Sequence, residues 1–286
     1  MSDTAATPAN PSTTLDAEAV TRYMAAHVPG FEGPVTITKF ATGQSNPTFR
    51  IDSPSRAYVL RRKPMGKLLK SAHQVEREFR VQKALWGSDV PVPEMLVLCE
   101  DPEVIGSSFY IMAHVPGRNF AEPTMPGEDK ATRAGVIDSM NRVLAALHEI
   151  DPEAVGLGDF GPPGDYIARQ VHRWSEQYRA SATETIPAMD KLMAALGRHM
   201  PPDDGQRRLV HGDYRIDNMI FHADRPECAA VLDWELSTLG HPYADLASVI
   251  MQWQLPPGNE GRGLAGVDRA ALGLPSDEEF IARYCE

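Results

Sequence analysis

Near residue 117 the hydrophobic pattern of this chain changes period, and that change limits the folds open to it. Before it, Val35–Phe40, Thr48–Asp52 and Ala57–Arg61 are short runs rich in β-branched and aromatic residues, parted by turns such as Gly43-Gln-Ser-Asn-Pro. Connections that short impose antiparallel pairing. Apolar runs at 94–99 and 107–115 add two more strand candidates. One helix, about Ala72–Leu85, intervenes, with Val75, Phe79, Val81 and Leu85 near one face. After Gly117, Ala131–Ile150 repeats Val136, Ile137, Met140, Val143, Leu144 and Leu147 at helical spacing. Asp165–Ala180, Pro187–His199 and Tyr243–Gln254 read as further helices, with two short strands around His211-Gly-Asp and Asp233-Trp-Glu. At the start, Asp16 is placed to cap a helix running to about His27, and residues 1–14 have the composition of a disordered tail. A strand-rich lobe (15–116) joined to a helix-rich lobe (117–286) makes an α+β chain with a cleft at the joint, where ligand sites tend to lie.

Composition excludes several classes. A net charge of −11 opposes a nucleic-acid partner, because a broad negative field repels phosphate backbones. It does not oppose ATP, which a local cluster of cations can hold. Cys99, Cys228 and Cys285 are widely spaced and odd in number, which suits a reducing compartment. No apolar run approaches the roughly 18 residues of a membrane span, and no signal peptide is evident. A cytoplasmic protein without membrane partner is expected. Nine histidines show no HExxH or paired-cysteine spacing, so zinc is not expected.

The chemistry concentrates in one stretch. An apolar run, Leu209-Val210, leads into His211-Gly212-Asp213; five residues beyond Asp213 stands Asn218; after a second apolar run comes Asp233. Phosphoryl transfer from Mg-ATP to a hydroxyl needs one carboxylate at the hydroxyl proton, and an amide and a second carboxylate on the metal ions. Together with Tyr58-Val-Leu-Arg-Arg-Lys-Pro, Val75-Glu-Arg-Glu-Phe-Arg and Gly240-His-Pro-Tyr-Ala-Asp-Leu-Ala, this order resembles the aminoglycoside phosphotransferase/choline kinase family of the protein-kinase-like fold, over about Ile37–Tyr284. More narrowly it is similar to the kinase-like domains beside or fused to acyl-CoA dehydrogenases.

The resemblance implies a two-lobed fold, with a small antiparallel-sheet lobe and a larger, mostly helical one, and an ATP- and Mg2+-dependent phosphotransferase. It makes Asp213 the catalytic base and Asn218 and Asp233 the magnesium ligands. Arg215 stands where protein kinases carry a lysine on the transferred phosphate; an exposed loop arginine is the alternative. Arg61 takes the place of the strand lysine, with Glu78 as its helix partner. Gly43, Ser45 and Asn46 match the nucleotide-positioning loop, though a plain hairpin turn fits the local sequence as well. Met112 falls at the back of the adenine pocket, and Ala113 and Val115 at the backbone hinge. His148 is expected to bond the last carbonyls of its helix, His211 to brace the loop, and Asp245 either to hold the catalytic-loop backbone or to serve as a first-turn acid. The acceptor is expected to be a hydroxyl of a small molecule, with a hydroxyacyl-CoA favoured by the narrower likeness, and a functional pairing with an acyl-CoA dehydrogenase follows. An aminoglycoside-type antibiotic kinase and a catalytically impaired nucleotide-binding scaffold are the alternatives, the latter motivated by Arg61. A protein kinase is disfavoured: G-x-G-x-x-G, Asp-Phe-Gly and Ala-Pro-Glu are missing. Glu279–Glu286 reads as the middle of a helix, which suggests that the family pattern continues past residue 286.

Overall fold

The computed structural model describes residues 15–40, 46–65, 74–258 and 261–286. The expected tail (1–14) and positions Gly43 and Ser45 lie outside the described residues. Helix α1 (Ala17–His27) starts where the Asp16 carboxylate accepts from the Glu18 and Ala19 N–H groups, two donors that helix geometry leaves unpaired. It buries Val20 and Met24 against a sheet.

That sheet holds β1 (Thr36–Lys39), β2 (Thr48–Asp52), β3 (Ala57–Arg62), β4 (Met95–Cys99) and β5 (Phe109–Ala113) in the order β1-β2-β3-β5-β4. Every neighbouring pair is antiparallel. Alternation along β3 divides its residues between two cores. Tyr58 and Leu60 join Phe49, Ile51, Phe109 and Ile111 under α1. Val59 joins Tyr110 and Met112 on the face covered by α2 (Val75–Leu85). Arg61 pairs with Tyr110 across the ladder and so shares the α2 face, whereas Arg62 is buried on the other face, its guanidinium 5.6 Å from the Phe49 ring.

The helical lobe is built on α3 (Lys130–Glu149), capped by the Asp129 carboxylate on the Thr132 N–H. Its buried face, Val136, Ile137, Met140, Val143, Leu144 and Leu147, packs in one core with Leu209, Tyr214, Met219, Phe221, Val231, Trp234 and Trp253. Helices α4 (Tyr166–Ser181) and α5 (Pro187–His199) bury no residue fully. Two ribbons follow: β6 (Arg208–Val210) with β9 (Thr238–Gly240), and β7 (Met219–Phe221) with β8 (Cys228–Val231). Helices α6 (Tyr243–Trp253), α7 (Arg269–Leu272) and α8 (Asp277–Tyr284) complete the lobe. The strands β7 and β9 are additions to the sequence expectation; at three residues each they are too short to carry a periodic signal. The result is the two-lobed α+β fold expected from sequence. Among the described residues no helix is long and apolar enough to cross a membrane.

Candidate active site

The His211-Gly-Asp segment leaves the core at the end of β6 and is held by a buried carboxylate on α6. Asp245, 1% exposed, accepts from the His211 N–H at 2.6 Å and the Gly212 N–H at 2.8 Å. Burial alone would push this carboxyl up. The His148 contact at 3.3 Å and the His211 contacts outweigh burial and hold it below the usual carboxylate range. Of the two sequence readings of Asp245, its contacts are those of a loop anchor. His148 departs from expectation. Its ring is buried and bridges Asp245 and the Tyr284 hydroxyl (2.7 Å) instead of bonding the terminal carbonyls of α3, because that end of the helix faces the core.

Gly212 makes the turn possible. Its φ is +84°, and a Cβ there would sit 2.7 Å from the Leu236 carbonyl oxygen. The turn delivers Asp213, partly exposed, to the loop surface. Asn218, at the end of a 3₁₀ turn (Ile216–Asn218), donates from its amide to the Asp213 carboxylate at 3.0 Å and to the Asp213 carbonyl at 2.9 Å. Leu232 ties the next segment on: its N–H donates to the Asn218 carbonyl (2.8 Å), and its carbonyl lies 2.9 Å from His211 Nε2. Asp233 follows immediately in the left-handed region, φ 63°, which turns its carboxylate out of the β8 direction. Asp213 and Asn218 are thus bonded side chain to side chain, and the Leu232–Asn218 bond brings the backbone before Asp233 to the same loop, while the Asp233 carboxylate itself meets Arg61. Arg215 lies between carboxylates, its Nε 3.2 Å from Asp213 and a terminal nitrogen 3.0 Å from Asp217.

Across from this loop, Arg61 reaches over from β3. Its Nε lies 2.9 Å from Glu78, and one terminal nitrogen lies 2.5 Å from Asp233 and 3.5 Å from Glu235. Lys63, on the same strand face, pairs with Glu76 at 2.8 Å. Glu78 also accepts from the Asn46 amide (2.8 Å) and the Tyr110 hydroxyl (3.0 Å). One guanidinium therefore serves three carboxylates. Burial pushes the Glu78 carboxyl up to about 7, with Arg61 opposing and the nearby Asp233 and Glu235 reinforcing. Burial would lower the Arg61 pKa, but Glu78 and the other anions outweigh it and leave it raised. Asn46, expected in a nucleotide loop, is fully buried with its amide on Glu78 and 3.5 Å from Glu235. Nothing local in the sequence marks Glu235 or Tyr110; both become legible only through the pairing that sets them beside Arg61 and Glu78.

Met112 is buried at the end of β5. The Ala113 N–H donates to the Glu94 carbonyl at 2.9 Å. Val115 is half-buried just beyond. Past Gly117, Asn119 donates to the Asp217 and Met219 carbonyls (2.8 and 2.9 Å), and it lines a pocket of about 240 Å³ with Phe120, Glu122 and Arg262.

Among the described residues no group of three or more His, Cys, Asp and Glu gathers to hold a metal. The donors near the loop are an amide and a carboxylate. That set fits Mg2+, which takes hard oxygen ligands and shares its shell with phosphate oxygens and water.

The model of the phosphotransferase enzyme family matches residues 36–280. The chain is 47% identical over 254 residues to acyl-CoA dehydrogenase family member 10 of Mus musculus, an alignment covering 88% of this chain and 24% of that protein. It thus spans about a quarter of that relative's length. A crystal structure of a Ralstonia eutropha JMP134 protein, provisionally named an aminoglycoside phosphotransferase, matches with a TM-score of 0.84 at 48% identity, covering 95% of this chain and 80% of that one. A thermostable mutant of aminoglycoside phosphotransferase APH(4)-Ia, in ternary complex with ADP and hygromycin B, matches with a TM-score of 0.62 at 18% identity, covering 93% and 88% of the two chains. At that identity the likeness speaks to the fold alone.

Proposed function

Since this chain belongs to the phosphotransferase enzyme family, we propose that it transfers the γ-phosphate of ATP, with Mg2+, to a hydroxyl of a small molecule. The observation that carries this reading is the bond between the Asn218 amide and the Asp213 carboxylate, with Leu232 clamped to Asn218 and His211 so that Asp233 follows alongside. Asp213 accepts and orients the acceptor hydroxyl. A loose, metaphosphate-like transition state needs little early deprotonation, so position matters more than basicity. Asn218 and Asp233 hold magnesium, which when bound neutralises charge developing on the phosphates. Arg61, pinned by Glu78, stands in for the usual lysine at the phosphates, and Arg215 offers a second cation near the transferred group. The carbonyl of Ala113 and the backbone of Val115, with Met112 behind, receive the adenine.

For the acceptor we favour a hydroxyacyl-CoA. The support is the 47% identity to a protein named as an acyl-CoA dehydrogenase family member. Phosphorylation turns such a hydroxyl into a leaving group for a partner enzyme. An aminoglycoside is the competing acceptor, by the name given to the Ralstonia relative. ATP consumption against a panel of hydroxyacyl-CoAs and aminoglycosides decides between them. Turnover with a hydroxyacyl-CoA alone is expected. Turnover with aminoglycosides alone removes the acyl-CoA acceptor, and no phosphate transfer to any acceptor or to water removes the kinase reading.

A further inference from the structure

Asp217 has no part in the scheme above, yet it is more deeply placed than Asp213: its side chain is 13% exposed against 36%. One of its oxygens, Oδ2, receives two guanidinium groups, Arg215 at 3.0 Å and Arg262 at 2.6 Å. Its carbonyl is pinned by the Asn119 amide at 2.8 Å. Asp213, Arg215, Asp217 and Arg262 therefore form a row of alternating charge that begins at the proposed base and ends on the loop after α6. Arg262 holds its place with φ 52°, a left-handed backbone uncommon for a residue with a side chain, and such conformations persist where the surroundings demand them.

A guanidinium shared between two carboxylates divides its donors. With Asp217 present, Arg215 donates a terminal nitrogen to Asp217, while its Nε lies 3.2 Å from an Asp213 oxygen without a hydrogen bond to it. Without Asp217, Arg215 has one carboxylate within reach and an arginine, Arg262, behind it. A fork of parallel N–H groups closing on a carboxylate is the favoured geometry for such a pair, and it would occupy the oxygens a substrate hydroxyl needs.

We infer that Asp217 is a positioning residue that draws Arg215 off the Asp213 carboxylate, and that Arg262 holds Asp217 in place to do so. This rests on Asp213 as the group that receives the acceptor hydroxyl. Partners that orient the ligands of a metal typically carry 10- to 100-fold of activity, and a partner that orients the neighbouring Asp213 is expected on the same order. With Mg-ATP as donor and water as acceptor, Asp217→Asn is expected to lower kcat by about that factor and to leave KM for ATP within about twofold. Arg262→Gln moves kcat in the same direction by less, and on its half-exposed loop it carries the same test if Asp217→Asn does not fold. The double variant Arg215→Gln/Asp217→Asn turns over as fast as Arg215→Gln alone, because Asp217 acts through Arg215. Wild-type kcat in both single variants, or losses that multiply in the double variant, overturn the inference. A crystal structure of Asp217→Asn or Arg262→Gln decides it independently of activity: Arg215 should close on Asp213 with two nitrogens, and Arg215 unmoved would overturn it. If the wild-type protein turns over no ATP, the kinase reading fails while this crystallographic comparison still stands.

Discussion

Replacing Glu78 with Gln tests the charge balance of the cluster around Arg61. The Glu78 side chain is 1% exposed and shares one guanidinium with Asp233 and Glu235. Its carboxyl is pushed from 4.5 to about 7, first by burial. At 1.36 kcal/mol per pH unit, a rise of about 2.5 units corresponds to about 3 kcal/mol. Well below pH 4.5 the group is protonated in the folded and unfolded chains alike, and its contribution to stability is at its full value. As pH rises toward 7 the unfolded chain ionises Glu78 while the folded chain keeps its proton, so stability is lost. Above 7 the loss is complete. Gln carries no such proton, and the other titrating groups largely cancel between the two proteins. Urea unfolding of wild type and Glu78→Gln from pH 4 to 8 should therefore show the variant gaining about 3 kcal/mol relative to wild type across that range. A difference independent of pH, or one in which wild type gains as pH rises, would refute the reasoning and mean that Arg61 more than compensates burial of the charge.

Two further outcomes follow from the loop geometry. Asp213→Asn should lower kcat at least about 10²-fold, because the amide turns a donor toward the hydroxyl that the carboxylate orients, with the ATP dissociation constant by calorimetry unchanged; loss of ATP binding in step with activity would argue for a structural role instead. Gly212→Ala places a methyl 2.7 Å from the Leu236 carbonyl oxygen in a left-handed backbone, so unfolding experiments should show a loss greater than about 1 kcal/mol together with impaired turnover; wild-type stability would show that the turn relaxes without cost.

Much of this architecture is legible in the sequence. Asp16 signalled the start of α1 because a carboxylate at that position satisfies free helix N–H groups. The apolar stripe of α3 announced its buried face. Alternation along β3 put Arg61 and Lys63 on one face and Arg62 on the other, and the pairs Arg61–Glu78 and Lys63–Glu76 follow that division. What sequence could not carry was long-range pairing. Strands β6 and β9 meet across 27 intervening residues, and nothing local in Thr238–Gly240 marks a strand. The inward turn of Asn46, the bridging of Asp245 to Tyr284 by His148, and the contact of Arg262 with Asp217 all depend on distant elements meeting. The DNA of a motif such as His-Gly-Asp names residue types at fixed offsets; it does not record which neighbours compete for them, and in this fold Arg215 is shared between two carboxylates and Arg61 among three.

The most direct test is a crystal structure with Mg2+ and AMP-PNP, a non-hydrolysable ATP analogue. The account predicts the nucleotide in the cleft beside Ala113 and Val115, with an Asn218 amide oxygen and an Asp233 carboxylate oxygen on magnesium at about 2.1 Å. Nucleotide bound away from that cleft, or Asp233 still held by Arg61 with no metal upon it, would contradict the account.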